Sequence, residues 1–312
     1  MNTSMNTSTT VGMKKGNRTW KEIKRNKVVY LCISPFFILF AIFGLFPILF
    51  SLFVSFQQWD GIGNMKYIGL DNYTFLLTDY EFWHSITNTI FIWLLSTIPM
   101  LFLALIIAFL LNSASLRFRT GYRILYFLPN ITSIVAVAIV FGTVFAESYG
   151  FLNFILNSFK LDEVSWISSP FWIKVAIASM VIWRWTGYNA IIYLAGLQSI
   201  PNDLYEAARI DGASTSQSFF RITIPMLRPV ILFTTIMSIT GGMQIFTESQ
   251  ILTGEGNLGG VGHSAMTMVL YLYQQSFFNH IFGYGSAIAW GMFIIILIFS
   301  YVNWRIVKLT EK

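Results

Sequence analysis

Six long apolar stretches constrain the fold of this chain more than any other feature. A helix that spans a bilayer needs about 20 mostly apolar residues, and each stretch approaches or exceeds that length. They run roughly over Val28–Phe56, Thr87–Leu111, Leu125–Phe145, Phe171–Leu194, Val230–Thr247 and Phe282–Val307. Only 11% of the 312 residues are charged, whereas a soluble domain averages about 25%. We therefore predict an all-α integral membrane protein with six transmembrane helices.

Basic residues alternate from one loop to the next, and this pattern predicts the orientation of the chain. Sixteen of the 20 lysines and arginines lie before the first stretch, in every second loop after it, and at the C-terminal end. The remaining loops carry only Lys66 and Lys160, with Lys174 at the edge of a stretch. Because loops rich in Lys and Arg stay in the cytoplasm, we predict that both termini are cytoplasmic. The same bias accounts for the net charge of +6, so we predict no nucleic-acid partner.

These boundaries divide the chain into three parts. Residues 1–27 are predicted to form a cytoplasmic N-terminal tail, residues 28–308 a six-helix transmembrane domain, and residues 309–312 a cytoplasmic tail. The first apolar run is longer than the 7–15 apolar residues of a signal peptide. We therefore interpret it as a retained first span.

A polar break separates the fourth and fifth stretches, and its residue order predicts two short helices joined by a glycine turn. Asp203, with Glu206 three residues later, matches a capping box at the start of the first helix. Gly212 suits the left-handed position that follows a helix. Ser214 with Gln217 matches a second capping box, which predicts the start of the second helix.

The same break carries a long motif. It reads Glu206-Ala207-Ala208-Arg209-Ile210-Asp211-Gly212, followed nine residues later by Ile222-Thr223-Ile224-Pro225. The second short helix is expected to stop before Pro225, because a residue that precedes proline disfavours the helical conformation. The caps alone fit equally well an ordinary amphipathic loop on the membrane surface. The complete spacing, E-A-A-x3-G-x9-I-x-[L/I]-P, resembles the EAA loop of the membrane subunits of binding-protein-dependent ABC importers.

The resemblance extends beyond this loop and covers roughly residues 28–308. Four further segments are similar to the sugar-transporting branch of these permeases: Ile68–Tyr73, Tyr126–Pro129, Leu194–Pro201 and Gln244–Gly254. After Gly254 the family usually continues with two glycines and a proline, and this chain does not. The outer loop there is expected to differ in shape.

The resemblance implies a type I ABC importer permease fold in the bacterial inner membrane. It implies an EAA loop, about residues 200–228, that docks onto a separate ATPase through Glu206, Ala207, Ala208, Asp211, Gly212, Ile222 and Pro225. The implied partners are a second homologous permease subunit, a cytoplasmic ATPase dimer that binds ATP and Mg, and an extracytoplasmic solute-binding protein. The implied solute is a mono- or oligosaccharide, or a sugar-like solute such as glycerol phosphate.

The solute path is expected to lie in the spans that flank the EAA loop. Glycine in a span permits close packing or local unwinding, and hydroxyl, amide and ring groups suit a sugar. On these grounds the candidate path residues are Gly187, Tyr188, Asn189, Ser238, Gly242 and Gln244. Ser238, Gly242 and Ile245 share one helical face. The alternative is that the glycines only pack helices and the amides bond between helices.

The charges inside the spans bear on the energy source. Ion-coupled carriers place acids at membrane depth, and here Glu147 and Glu248 lie only at the outer ends of stretches. This weakens the alternative function, a self-contained ion-coupled secondary carrier. Arg184 does lie inside a span, between Trp183 and Trp185. Either the tryptophans anchor it, or it contacts the solute.

Several kinds of chemistry find no support in the sequence. The chain has no G-x-x-x-x-G-K-[ST] motif, so we predict that it does not hydrolyse ATP by itself and needs no cofactor of its own. His84, His263 and His280 lack ligand spacing, and Cys32 is a single cysteine. We therefore predict no metal site and no catalytic residue, and a transporter subunit rather than an enzyme.

Overall fold

The computed structural model describes residues 25–112, 118–254 and 256–309. Most of the predicted N-terminal tail and residues 310–312 of the predicted C-terminal tail lie outside these residues. The described part is almost entirely helical, with one short pair of strands. This agrees with the all-α prediction.

The first helix, α1 (Lys27–Val54), forms a unit of its own that ends at Phe53. A π-helical turn, Ala41–Leu45, interrupts its α-helical bonding. Pro35 lacks an N–H, which removes the usual bond to the carbonyl of Leu31. The Ser34 hydroxyl donates to that carbonyl instead, at 2.9 Å. Most of the aliphatic and aromatic side chains of α1 are exposed, as expected of a helix surrounded by lipid.

The second unit begins at Val54 and contains all the other elements. Strands β1 (Gln57–Gln58) and β2 (Lys66–Tyr67) pair antiparallel, with Gln57 opposite Tyr67. The helices that follow are α2 (Asp71–Thr78), α3 (Tyr80–Asn112), α4 (Arg119–Ile131), α5 (Ile134–Val144), α6 (Phe151–Ser158), α7 (Trp172–Gln198), α8 (Asn202–Ile210), α9 (Thr215–Gly242), α10 (Thr247–Thr253), α11 (Met268–Tyr273) and α12 (Phe282–Leu309). A 3₁₀ turn, Val261–His263, precedes α11, and a π-helical turn, Gln274–Phe278, follows it.

The predicted third span is not one straight helix. Helices α4 and α5 meet at an angle of 92°. Thr132 and Ser133 take extended ψ values between them, and the Thr132 hydroxyl donates to the Pro129 carbonyl at 2.6 Å. The expectation of a continuous span from Leu125 to Phe145 was wrong, because hydropathy registers apolar residues and not a change of direction.

By length and composition, four described helices can cross a membrane, or five if the bent pair counts as one span. These are α1, α3, α9 and α12, with α4 and α5 as the bent pair. The predicted fourth span, α7, is 27 residues long but is not among them. It carries Lys174 and Arg184 together with several polar residues. Its side chains are buried along most of its length against α3, α4 and α9, so they need not be soluble in lipid.

Helix α9 also departs from the prediction. The second short helix of the polar break does not stop before Pro225, because α9 continues from Thr215 to Gly242. A π-helical turn, Phe219–Thr223, ends directly before the α-helical part that begins at Ile224. Pro225 therefore lies in the first turn of that part, where a missing N–H is tolerated.

The centre of the second unit is the packing of α3 against α7. Ala104 and Ala108 of α3 and Ala190 of α7 are fully buried in one cluster. Small residues let two helix backbones approach closely. Tyr193 of α7 closes the cluster towards α9, where its hydroxyl is hydrogen-bonded to Thr234 at 2.9 Å.

Candidate functional site

A cavity of about 520 Å³ lies between α3, α7 and the C-terminal end of α9. Asn130 and Ile134 close one side of it at the bend between α4 and α5. The link after α9 and the first turn of α10 close another side, through residues 244–248. The cavity therefore forms where two helical spans are interrupted.

Five of the six predicted path residues line this cavity. They are Tyr188, Asn189, Ser238, Gly242 and Gln244. Ile245, predicted on the same face as Ser238 and Gly242, also lines it. The structure thus brings together residues that are more than 50 positions apart in the chain.

Gly187 is the exception. Helix α7 runs through it without interruption, so it does not unwind the span, and it does not line the cavity. A Cβ built on Gly187 would lie 1.7 Å from the carbonyl oxygen of Tyr126 in α4. Gly187 therefore permits α4 and α7 to pack in direct backbone contact, which was the alternative interpretation.

Gly242 both lines the cavity and packs against a neighbouring helix. It is the last residue of α9 and lines the cavity. A Cβ at this position would lie 2.1 Å from Cδ1 of Trp93 in α3. By contrast, a Cβ on the neighbouring Gly241 would meet nothing within 4 Å. Gly242 thus lets the tryptophan lie close to the end of α9.

Two of the predicted polar residues are partly engaged within the protein. The Ser238 hydroxyl is hydrogen-bonded to the Thr97 hydroxyl at 2.7 Å. The Asn189 amide donates to the Trp185 carbonyl at 3.0 Å. A hydroxyl has one donor and two acceptor lone pairs, so the bond to Thr97 does not use all the hydrogen-bonding capacity of Ser238. The bond to Trp185 uses the side-chain nitrogen of Asn189 and leaves its side-chain oxygen. Both side chains keep hydrogen-bonding capacity for a solute.

Aromatic rings form part of the wall. Trp185 and Tyr188 line the cavity and meet edge to face, with ring centroids 5.5 Å apart. Phe127 of α4 stacks on Tyr188 at 6.4 Å. A rigid ring cluster beside hydroxyl and amide groups offers both apolar and polar contacts to one solute.

The two charged residues of the cavity come from different helices. Arg184 projects from α7, and its Cζ lies 5.7 Å from the centroid of the Trp185 ring. Glu248 belongs to α10 and is only 6% exposed. Both line the cavity, so the contact with Trp185 leaves Arg184 at the cavity.

Sequence reasoning missed several cavity residues. They include Ser96, Thr97, Asn130, Trp185 and Thr240. All except Trp185 carry a hydroxyl or an amide group and lie within an apolar stretch. A polar residue at membrane depth is itself a signal of a wet or packed interior, and this signal could have found them.

The EAA loop forms the second candidate site, and its first turn corrects one prediction. Helix α8 begins at Asn202, and the residue before it, Pro201, makes no side-chain cap. The predicted capping box of Asp203 and Glu206 is therefore wrong. Asp203 lies inside the first turn of α8, where a negative charge still favours the helix N-terminus.

The glycine turn of the loop is as predicted. Gly212 has a φ of +76°, the left-handed conformation that glycine adopts without strain. The Ala213 N–H donates to the Ala208 carbonyl at 2.8 Å, and the Gly212 N–H donates to the Arg209 carbonyl at 3.0 Å. This pair of bonds is a Schellman motif, which ends α8.

The second predicted capping box is confirmed. The Gln217 N–H donates to the Ser214 hydroxyl at 3.2 Å, and the Ser214 N–H donates to the Gln217 side-chain oxygen at 2.8 Å. Beyond it, the hydroxyls of Tyr205 in α8 and Thr223 in α9 are hydrogen-bonded at 2.8 Å. Sequence reasoning did not find this contact, which fixes the angle between the two helices.

The residues predicted to dock an ATPase lie mainly on the surface. Glu206, Ala207, Asp211 and Gly212 are exposed, and Ala208, Ile222 and Pro225 are half-buried. Within the described residues, no other part of the second unit covers the first four. The loop thus presents an exposed surface that is open to a partner.

The comparison with protein families is decisive. Residues 82–309 match the family of binding-protein-dependent transport system inner membrane components. The chain belongs to this family. The match begins in α3 and covers the cavity, the EAA loop and α12.

Relatives of this family member include permease proteins of several sugar transport systems. The lactose transport system permease protein LacF of Rhizobium radiobacter is 38% identical over 277 residues, which are 88% of this chain and 92% of that protein. The arabinooligosaccharides transport system permease protein AraP of Halalkalibacterium halodurans is 36% identical over 295 residues, 93% of this chain and 91% of that protein.

Solved structures of ABC transporters are also similar to this chain. A chain of a bacterial ABC transporter involved in the import of the acidic polysaccharide alginate is 27% identical, with a TM-score of 0.81, over 95% of this chain and all of that chain. The same type of transporter, in complex with an alginate pentasaccharide-bound periplasmic protein, matches with a TM-score of 0.79 over 92% of this chain and 96% of that chain. The fold is that of an ABC importer permease.

Proposed function

We propose that this chain is the transmembrane permease subunit of an ABC importer that takes up a carbohydrate. The observation that supports this most strongly is the cavity. It brings hydroxyl, amide and aromatic side chains together. The chain belongs to the family of binding-protein-dependent transport system inner membrane components, and its relatives include lactose and arabinooligosaccharide permeases. Its volume of about 520 Å³ is within the range of small-molecule sites, roughly 300–1,000 Å³. A mono- or small oligosaccharide suits this volume.

The path residues act in this proposal through two kinds of contact. Tyr188 and Trp185 offer ring faces and edges to the apolar faces of a sugar. Asn189, Ser238 and Gln244 offer donors and acceptors to its hydroxyls. Gly242 keeps the wall close to Trp93 so that the cavity retains its shape. Gly187 acts indirectly, by holding α4 and its Asn130 against α7.

The EAA loop is the proposed docking surface for an ATPase. Its exposed residues Glu206, Ala207, Asp211 and Gly212 would contact the ATPase, and Tyr205 bonded to Thr223 would transmit movement of α8 to α9. Helix α9 ends at the cavity. A shift of the loop can therefore reach the solute site through one continuous helix. The ATP and Mg would be bound by the partner ATPase.

The proposed assembly contains further chains. A second homologous permease subunit would complete the path, an ATPase dimer would bind the EAA loops, and an extracytoplasmic binding protein would deliver the solute. The matched alginate transporter was solved with its periplasmic protein, which supports the last of these partners. The location is the bacterial inner membrane.

The decisive experiment on function measures the energy source. The chain is reconstituted in vesicles with its ATPase, its partner permease and its binding protein, and sugar uptake is followed. We expect uptake to require ATP on the ATPase side and to continue in the presence of a protonophore. Uptake by this chain alone, driven by a proton or sodium gradient, would establish the secondary carrier instead.

Orientation needs a separate experiment. We propose that both termini and the EAA loop face the cytoplasm, on the basis of the alternating basic loops. In a Cys32→Ser background, Lys160→Cys should react with an impermeant thiol reagent in intact cells, and Arg119→Cys should react only after lysis. Labelling in the opposite order would reverse the topology.

A further inference from the structure

Arg184 has an unused hydrogen-bond donor at the cavity. Its Nε is buried and has no hydrogen-bond partner. A buried donor without a partner is unfavourable, and the contact with Trp185 does not satisfy it, because that contact is to the ring. Arg184 is half-buried and lines the cavity. An occupant of the cavity that carries an oxygen acceptor would satisfy this donor.

Glu248 of α10 supplies an acidic side chain to the same cavity. It is 6% exposed and interacts electrostatically with Arg184. No direct salt bridge joins these two residues, however, since the ion pairs of the described residues include none within 4.0 Å between them. Arg184 and Glu248 therefore both line the cavity without forming a direct ion pair.

The charge of the cavity is balanced. Among its described lining residues, Arg184 and Glu248 are the only Lys, Arg, Asp or Glu. The rest are hydroxyl, amide, thioether, aromatic and aliphatic groups. A solute in the cavity thus meets one basic and one acidic side chain.

We infer that Arg184 and Glu248 together select uncharged sugars over sugar acids, an inference that rests on the proposed function of carbohydrate import. A hydroxyl both donates and accepts, so neighbouring hydroxyls on one sugar can accept from Arg184 and donate to Glu248. Hydrogen bonds to charged partners are about twice as strong as those between neutral groups. A carboxylate could accept from Arg184, but it would lie beside Glu248 and be repelled.

The experiment compares sugars that differ only in charge. The probes are galactobiose and digalacturonate, with cellobiose and cellobiouronate as a second pair. Binding is measured by saturation-transfer NMR on the permease–ATPase complex in nanodiscs, without the binding protein, so that the selectivity of that protein does not enter. This method detects the weak binding expected of a transport intermediate.

In the parent complex we expect the neutral sugar of a pair to bind at least about tenfold more tightly than the acid, since like charges at contact are strongly unfavourable. Glu248→Gln should tighten binding of the acid by about tenfold, and Glu248→Asp, which retains the charge, should not. Arg184→Gln should weaken binding of both sugars. Asp162→Asn and Lys160→Gln are matched controls, because both residues are exposed and outside the cavity.

Two outcomes would overturn the inference in distinguishable ways. If the acid binds the parent as tightly as the neutral sugar, or if Glu248→Gln leaves their ratio unchanged, the charge pair does not select and carbohydrate import still stands. If none of the four sugars binds the parent, the cavity is not a sugar site, and the proposed function is lost together with the inference.

Discussion

The EAA loop and the contact between α4 and α7 both depend on glycine, but for opposite reasons. At Gly212 the φ is +76°, and a Cβ would meet nothing within 4 Å. At Gly187 the backbone is helical, and a Cβ would lie 1.7 Å from the Tyr126 carbonyl oxygen. The first glycine is needed for its conformation and the second for its lack of volume. The loop is therefore specified by neighbours in sequence, and the contact between α4 and α7 by a partner about 60 residues away.

This comparison predicts that the largest effect comes from Gly187→Ala. The added methyl would overlap a backbone carbonyl, which cannot rotate away as a side chain can. Overpacking of a core typically costs about 1–3 kcal/mol, and more where the backbone must move. We expect α4 to separate from α7 and little monodisperse protein to survive extraction into detergent, measured by size-exclusion chromatography and thermal unfolding.

The matched control for this variant is Gly241→Ala. That glycine also lies in a helix, but its Cβ would meet nothing within 4 Å. We expect near-normal yield and thermal stability. If Gly187→Ala were as stable as Gly241→Ala, the close contact between α4 and α7 would not be needed for the fold.

The next largest effect is expected in the EAA loop, where a substitution at Gly212 should impair function without impairing folding. Gly212→Val places a β-branched side chain at positive φ, which is strongly disfavoured, while leaving the rest of the protein untouched. We expect normal insertion in the membrane. Co-purification of the ATPase and ATP hydrolysis stimulated by the binding protein should each fall by at least about tenfold, which corresponds to about 1.4 kcal/mol.

Two further variants sharpen this result. Gly212→Asn should retain most activity, because asparagine tolerates the left-handed conformation better than other residues with a side chain. Glu206→Lys reverses an exposed charge on α8 and should impair docking without changing the turn. Normal assembly and hydrolysis in both Gly212→Val and Glu206→Lys would contradict the proposed role of the EAA loop.

The same contrast explains which features could be predicted from the sequence. The turn at Gly212 and the capping box of Ser214 and Gln217 depend on residues within five positions of each other, and both predictions were confirmed. The cap predicted at Asp203 was wrong because α8 begins at Asn202, two residues earlier than a cap at Asp203 allows. Local rules identify such signals but do not rank them.

Features that depend on distant contacts were predicted less well. Nothing near Gly187 in the sequence indicates that Tyr126 will contact it, so a packing glycine and an unwinding glycine look alike. The 92° bend between α4 and α5 is invisible to hydropathy for the same reason. Five cavity residues were nevertheless found, because glycine, hydroxyl, amide and ring positions were sought in the two apolar stretches that flank the EAA loop.

The smallest effect should come from the starts of the two helices in the EAA loop. The test compares Ser214, where the predicted cap was confirmed, with Asp203, where it was wrong. Ser214→Ala removes the acceptor of the Gln217 N–H, a loss of about 0.5–2 kcal/mol for an N-cap. Asp203→Asn removes only a favourable charge in the first turn of α8, worth about 0.3–1 kcal/mol. We therefore expect faster hydrogen–deuterium exchange at residues 215–218 in Ser214→Ala, with a severalfold decrease in stimulated ATP hydrolysis. Asp203→Asn should change both measurements less, and its exchange effect should be confined to residues 203–206. A larger loss of stimulated ATP hydrolysis in Asp203→Asn than in Ser214→Ala would mean that the carboxylate of Asp203 contacts the ATPase directly. The charge at the start of α8 would then matter more for coupling than the cap at the start of α9.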